Sequence, residues 1–129
     1  MTEPTGHRIV VADDDLDILD IVVFKLNQAG FDTVAVTDGL AALAAINAEP
    51  TRLAILDIMM PGLSGLDVLR NLRASEATRD LNVILLTARA RESDVDVGFS
   101  VGANDYVVKP FSPRELLHRV NAVLARSDR

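Results

Sequence analysis

Leu53-Ala54-Ile55-Leu56-Asp57-Ile58-Met59-Met60-Pro61-Gly62 is the stretch whose reading decides the fold. Its opening run is short, apolar at every position rather than at alternate ones, and ends at an acid. Such a run reads as a strand covered on both faces, the kind found in parallel sheets. Ile9-Val10-Val11-Ala12 repeats the pattern and runs into acids. Val83-Ile84-Leu85-Leu86 ends at Thr87, Tyr106-Val107-Val108 ends at Lys109, and Thr33-Val34-Ala35-Val36 follows a turn signal at Gly30.

Helix-period patterns separate these runs. Leu19, Val22, Val23 and Leu26 mark one face of a first helix, and Leu116, Leu117, Val120, Val123 and Leu124 one face of the last. Leu40, Leu43 and Ile46 suggest a second helix, and Leu66, Leu69 and Leu72 a third. The stretch Ala90–Val101 is a weaker helix, because Val95, Val97, Phe99 and Val101 put apolar groups on more than one side. Ser112-Pro113-Arg114-Glu115 combines a capping serine, a first-turn proline and a glutamate three residues on, and Ser64 with Asp67 is a looser version. Five strands, each followed by a helix, give an α/β chain, (βα)5, with helices on both faces of a doubly wound, five-stranded parallel sheet. The length of 129 residues fits one domain, with an ordered core over about 8–126 and 127–129 as a terminus or linker stump.

Composition narrows the function. The absence of cysteine excludes a disulfide scaffold, a thiolate zinc site and a cysteine nucleophile. His7 and His118 lie far apart in sequence and read as surface groups, which argues against a histidine metal site. Nineteen acids against 13 bases, a net charge of −6, argue against gripping a phosphate backbone. Apolar stretches are too short for a bilayer crossing, and Met1-Thr2-Glu3-Pro4 has no signal pattern, so an intracellular, cytoplasmic protein is expected.

The polar residues that matter stand where strands end. Asp13 and Asp14 follow the first strand, Asp57 the third, Thr87 the fourth and Lys109 the fifth. In open α/β sheets that edge binds ligands. Three carboxylates converging there repel, each pair by on the order of 4 kcal/mol at about 4 Å and an effective dielectric near 20. A proton or a cation must relieve them. Oxygen-only ligands favour a hard ion, and few carboxylates with water suit Mg²⁺. Three aspartates, one Mg²⁺ and Lys109 sum to zero charge, a receptor for a phosphoryl group on one of the carboxylates. Alone, each residue has a plainer role: Asp13-Asp14-Asp15 as a helix cap, Asp57 as a turn former, Thr87 as a strand-end hydroxyl, Lys109 as a solvated charge and Tyr106 as an edge-strand aromatic. Their convergence reverses that weighing.

Val11-Ala12-Asp13-Asp14-Asp15, Leu56-Asp57-Ile58-Met59-Met60-Pro61-Gly62, Leu86-Thr87-Ala88 and Val108-Lys109-Pro110-Phe111 together resemble the receiver domain of two-component response regulators, in order and spacing, from about Arg8 to Arg126. The resemblance implies the flavodoxin-like strand order 2-1-3-4-5. It implies that Asp57 is the phosphoacceptor and that Asp13, Asp14, Asp57 and the Met59 backbone carbonyl hold Mg²⁺. It makes Thr87 and Lys109 phosphate contacts, Ala88 a small residue that leaves room for the donor, and Thr87 with Tyr106 the switch pair. The Lys109–Pro110 bond is expected to be cis. Met59 and Arg89 fall where the family tunes access of water to the acyl phosphate.

The function implied is a phosphorylation-activated switch rather than a turnover enzyme. The donor is a sensor histidine kinase or a phosphotransfer protein, and the helix 4–strand 5–helix 5 surface reports the change to a partner or a homodimer. Asp105, Glu115 and Arg119 fit the charged pattern of that dimer face, whereas Val95 stands where a basic residue is expected. The alternatives are a phosphorylation-independent docking module, a Mg²⁺-dependent small-molecule phosphohydrolase and a nucleotide- or flavin-binding module. A phosphohydrolase would need an acid where Met59 stands, and a nucleotide module would need a Gly-x-Gly-x-x-Gly turn that does not follow the first strand.

Overall fold

The computed structural model describes residues 7–88 and 92–127. The chain alternates strictly: β1 (Arg8–Ala12), α1 (Leu16–Gln28), β2 (Asp32–Val36), α2 (Gly39–Ala48), β3 (Leu53–Asp57), α3 (Gly65–Ala74), β4 (Asn82–Ala88), α4 (Glu92–Val101), β5 (Asp105–Lys109) and α5 (Pro113–Ser127). All strand pairs are parallel, in the order β2-β1-β3-β4-β5. The order reverses between β1 and β3, so the ends of those two strands open a crevice at the carboxyl edge of the sheet.

Alternate residues of each strand feed opposite layers. Val10, Ala12, Ala54, Leu56, Val83 and Leu85 pack with Ile46 and with Leu66, Leu69 and Leu72, beneath α2 and α3. Ile9, Val11, Leu53, Ile55, Ile84 and Leu86 pack with Leu19, Val22 and Leu26 of α1 and Leu116, Val120 and Val123 of α5. The interior positions of the central strands are therefore apolar on both faces, and polar residues stand at their ends. β2 and β5 are edges and are only partly covered. No helix among the described residues is long and apolar enough to cross a membrane.

Local chemistry sets the helix starts. Asp15 caps α1, accepting from the Asp17 and Ile18 N–H groups, and Asp38 caps α2 through the Ala41 N–H. Ser64 and Asp67 form a complete reciprocal capping box, tighter than their spacing suggested. At α5, Ser112 Oγ accepts from the Glu115 N–H, while the Glu115 carboxylate lies 3.8 Å from Arg119. Two sequence expectations need correction. Leu40 is 66% exposed, and α2 buries Gly39, Ala42 and Ile46 instead; a Cβ at Gly39 would collide with the Leu63 backbone, so this small-residue face is the one that fits. Val23 sits at the margin of its helix face, half-buried, whereas Leu117, also half-buried, packs against the core beneath α1 and α5. His7 and His118 are exposed, as their positions suggested.

Candidate functional site

The strand ends carry the site. Parallel pairing sets Leu56 of β3 beside Ala12 of β1, so the residues that follow, Asp57 and Asp13, stand together at the carboxyl edge of the sheet. Both are buried, Asp13 completely and Asp57 at 3% exposure. Asp14, one residue on, is exposed. Carboxylate oxygens of Asp13, Asp14 and Asp57 lie within 4.8 Å of one another. β5 adds the cation: Lys109 Nζ is 2.9 Å from Asp13 Oδ2 and 3.2 Å from Asp57 Oδ2.

Each acid is oriented by its own backbone. Asp13 Oδ1 accepts from the Asp15 N–H at 2.9 Å, and Asp57 Oδ1 accepts from the Met59 N–H at 3.2 Å. The other Asp13 oxygen, Oδ2, is fully buried and accepts no hydrogen bond of good geometry. Its contact with Lys109 is thus an ion pair without a directional bond. One ammonium shared by two buried carboxylates leaves the pocket net negative. Burial raises the Asp57 carboxyl to about 6, the charge of Asp13 adds to the rise, and Lys109 opposes it. Burial alone would lower the Lys109 ammonium; its contacts with Asp13 and Asp57 outweigh that, and the net shift is upward. An all-oxygen donor set with an under-satisfied buried oxygen fits a hard divalent cation.

Thr87 is buried at the end of β4, and its hydroxyl donates to the neighbouring Ala88 carbonyl at 3.2 Å. Ala88 is exposed beside Lys109 and lines an apolar groove of about 400 Å³ between α1 and the β5–α5 connection, with Ile18, Ile21, Pro110 and Phe111. The Lys109–Pro110 peptide is cis. Met59 is 54% exposed at the pocket rim, where a phosphohydrolase would need an acid. Arg89 lies outside the described residues, as do Ala90 and Arg91 at the expected start of α4.

Tyr106 and the interface residues stand apart from the carboxylates. Tyr106 is half-buried and meets Phe99 edge-to-face, with centroids 5.5 Å apart. Arg119 is 3.3 Å from Asp105 and 3.8 Å from Glu115, so this charged trio pairs within the chain. Val95 is half-buried on α4. Gly65 escaped the sequence reading. Its N–H donates to the Ile58 carbonyl at 3.0 Å, and a Cβ there would run into the Asp57 carbonyl oxygen. The absence of a side chain lets α3 begin against the end of β3, fixing the backbone that carries Asp57. The available signal was a glycine placed directly after the Ser64 cap.

A family model described as the response regulator receiver domain matches residues 9–121. The DNA-binding response regulator MtrA of Mycolicibacterium paratuberculosis (strain ATCC BAA-968 / K-10) is 42% identical over 122 residues, covering 95% of this chain and 53% of that protein. The sensory transduction protein RegX3 of Mycobacterium tuberculosis (strain CDC 1551 / Oshkosh) is 43% identical over 118 residues, 92% of this chain and 51% of that protein. The chain thus spans about half the length of the curated relatives it matches. Among solved structures, a CheY-like receiver domain protein from Methanospirillum hungatei JF-1 superposes with a TM-score of 0.87 at 28% identity, covering 94% of this chain and 95% of that one. The receiver domain of the Francisella response regulator 1452 gives 0.85 at 36% identity, covering 93% and 98%.

Proposed function

The chain belongs to the response regulator receiver domain family, and on that premise we propose that Asp57 is the residue through which it works as a phospho-accepting signalling switch. The observation that carries this assignment is the placement of Asp57: buried at a strand end, beside Asp13, with Lys109 at 3.2 Å. With its carboxyl near 6 it is mostly ionised at neutral pH, as a nucleophile must be.

In the proposed step an Asp57 carboxylate oxygen bonds to the phosphorus of a phosphohistidine, presented by a sensor histidine kinase or a phosphotransfer protein. The nitrogen–phosphorus bond breaks and the imidazole leaves with its electron pair. Lys109 balances charge on the transferring oxygens from its position over Asp57, and the Thr87 hydroxyl turns from Ala88 to donate to one of them. A Mg²⁺ ion held by Asp13, Asp14, Asp57 and the Met59 carbonyl would neutralise the remaining charge on those oxygens. Ala88 leaves the approach open. In a second step water bonds to the phosphorus, the bond to Asp57 breaks, and inorganic phosphate leaves with the Asp57 carboxylate restored. The covalent change falls on the domain's own Asp57, which makes it a switch rather than a turnover enzyme.

Tyr106 follows Thr87 and fills the space that it vacates, passing the change to α4, β5 and α5. A homodimer across that face would have to open the pairing of Arg119 with Asp105 and Glu115, and it would meet Val95 rather than a base. Residues 1–129 act as one receiver domain in the cytoplasm, with DNA contact left to any further domain. Intact mass after incubation with acetyl phosphate and Mg²⁺ tests the assignment. One hydroxylamine-labile phosphoryl group is expected on the wild type and none on Asp57→Asn or under chelation; an adduct that survives in Asp57→Asn refutes it.

A further inference from the structure

We propose that Phe99 is a positioning residue, whose edge-to-face contact holds Tyr106 in its half-buried position and so sets how much phosphoryl binding is needed to switch the domain. The proposal rests on Asp57 as phosphoacceptor and on Thr87 and Tyr106 as a coupled pair.

The observations converge on the β4–β5–α4 corner. Tyr106 is in register with Leu85 of β4, and Thr87 lies two residues beyond Leu85 on the same face. Tyr106 packs against the layer that contains Leu85. Gly98 brings α4 down onto this same point, since a Cβ there would collide with the Leu85 side chain. The next residue, Phe99, then meets the Tyr106 ring at 5.5 Å and 79°. Phe99 remains 46% exposed, so it is not held there by the core. Movement of Tyr106 toward Thr87 must break the ring pair or drag α4 with it. Either way the contact weights the equilibrium against the switched state. A well-formed edge-to-face pair corresponds to about a 2- to 10-fold change in an equilibrium constant.

The plainer alternative is that Phe99 only adds packing to α4. The two accounts predict opposite signs. If the ring pair restrains Tyr106, removing the ring makes switching easier; if Phe99 merely supports the fold, removing it weakens the folded site and its ligand binding.

The test uses a feature of the sequence: Tyr106 is the chain's single tyrosine and there is no tryptophan. Its emission therefore reports this ring alone. The whole chain and Phe99→Leu, which keeps apolar bulk without the ring, are titrated with beryllofluoride in Mg²⁺ while tyrosine emission is followed. The proposal expects half-saturation of Phe99→Leu at about 2- to 10-fold lower beryllofluoride. An unchanged or higher midpoint, with normal binding by the wild type, overturns the role of Phe99 alone. Failure of the wild type to bind overturns the phosphoacceptor reading, and the role of Phe99 with it.

Discussion

Replacing Asp57 by asparagine should stabilise the metal-free domain, and by an amount that depends on pH. Burial and the neighbouring Asp13 hold the Asp57 carboxyl near 6 in the folded state, against an ordinary 3.8. Between those values the folded chain binds more protons at this site than the unfolded chain does. Stability therefore falls as pH rises from about 4 to about 6 and is flat on either side. At about 1.4 kcal/mol per pH unit, the gap corresponds to about 3 kcal/mol lost by neutral pH. Asparagine keeps the shape and cannot ionise, so Asp57→Asn removes that loss. Urea unfolding in EDTA at pH 7.5 and pH 4 gives the comparison. The variant is expected to gain up to about 3 kcal/mol at the higher pH and little at the lower. A variant less stable than the wild type at pH 7.5, or a gain equal at both pH values, would show that Asp57 is not a destabilising ionised group. Added Mg²⁺ should narrow the gap, because a ligand that binds only the folded wild type stabilises it by mass action.

Three further outcomes follow from the same geometry. Lys109→Ala leaves Asp13 and Asp57 buried without their cation and should destabilise the metal-free chain at pH 7.5 by about 3 kcal/mol; chemical denaturation would read it, and a loss under 1 kcal/mol would contradict it. Mg²⁺ affinity, measured by calorimetry, should fall by about tenfold per pH unit once the pH is well below 6, where the metal must displace a proton from Asp57; a flat profile down to pH 5 would mean that Asp57 is not a ligand. Leu69→Ala should cost about 2–5 kcal/mol and Leu40→Ala under about 0.5, because Leu69 is fully buried and Leu40 is 66% exposed. Equal losses in the two would refute the assigned face of α2.

The contrast between Leu69 and Leu40 also shows what could be read from the chain. Leu66, Leu69 and Leu72, with Val68 on the same side, stand out against Asp67, Arg70, Asn71 and Arg73, so the α3 stripe has one orientation. In α2 nearly every residue is small or apolar, Gly39-Leu40-Ala41-Ala42-Leu43-Ala44-Ala45-Ile46, and periodicity offers no contrast. There the choice of face is made by what lies across from it: Gly39 must accept the Leu63 backbone, a tertiary fact. The central strands were legible because burial on both faces leaves unbroken apolar runs, and Asp13, Asp57, Thr87 and Lys109 were legible because each follows or ends an apolar run. Arg73 was not. It donates to the Gly102 carbonyl at 2.7 Å across 29 residues of sequence and ties the end of α4 to α3, and nothing local marks it. Phe99 was visible only as one of several apolar residues on a helix with no clean face. Its partner, Tyr106, is set by how Gly98 seats α4.

Reductive trapping identifies the phosphoacceptor without recourse to a variant. Wild-type chain labelled with acetyl phosphate and Mg²⁺ is treated with borohydride, which reduces an aspartyl phosphate to homoserine, and the modified residue is located by peptide mass spectrometry. Homoserine at position 57 and at no other aspartate is the predicted result. Homoserine at Asp13 or Asp14, or labelling spread over exposed acids with residue 57 unmodified, would contradict it.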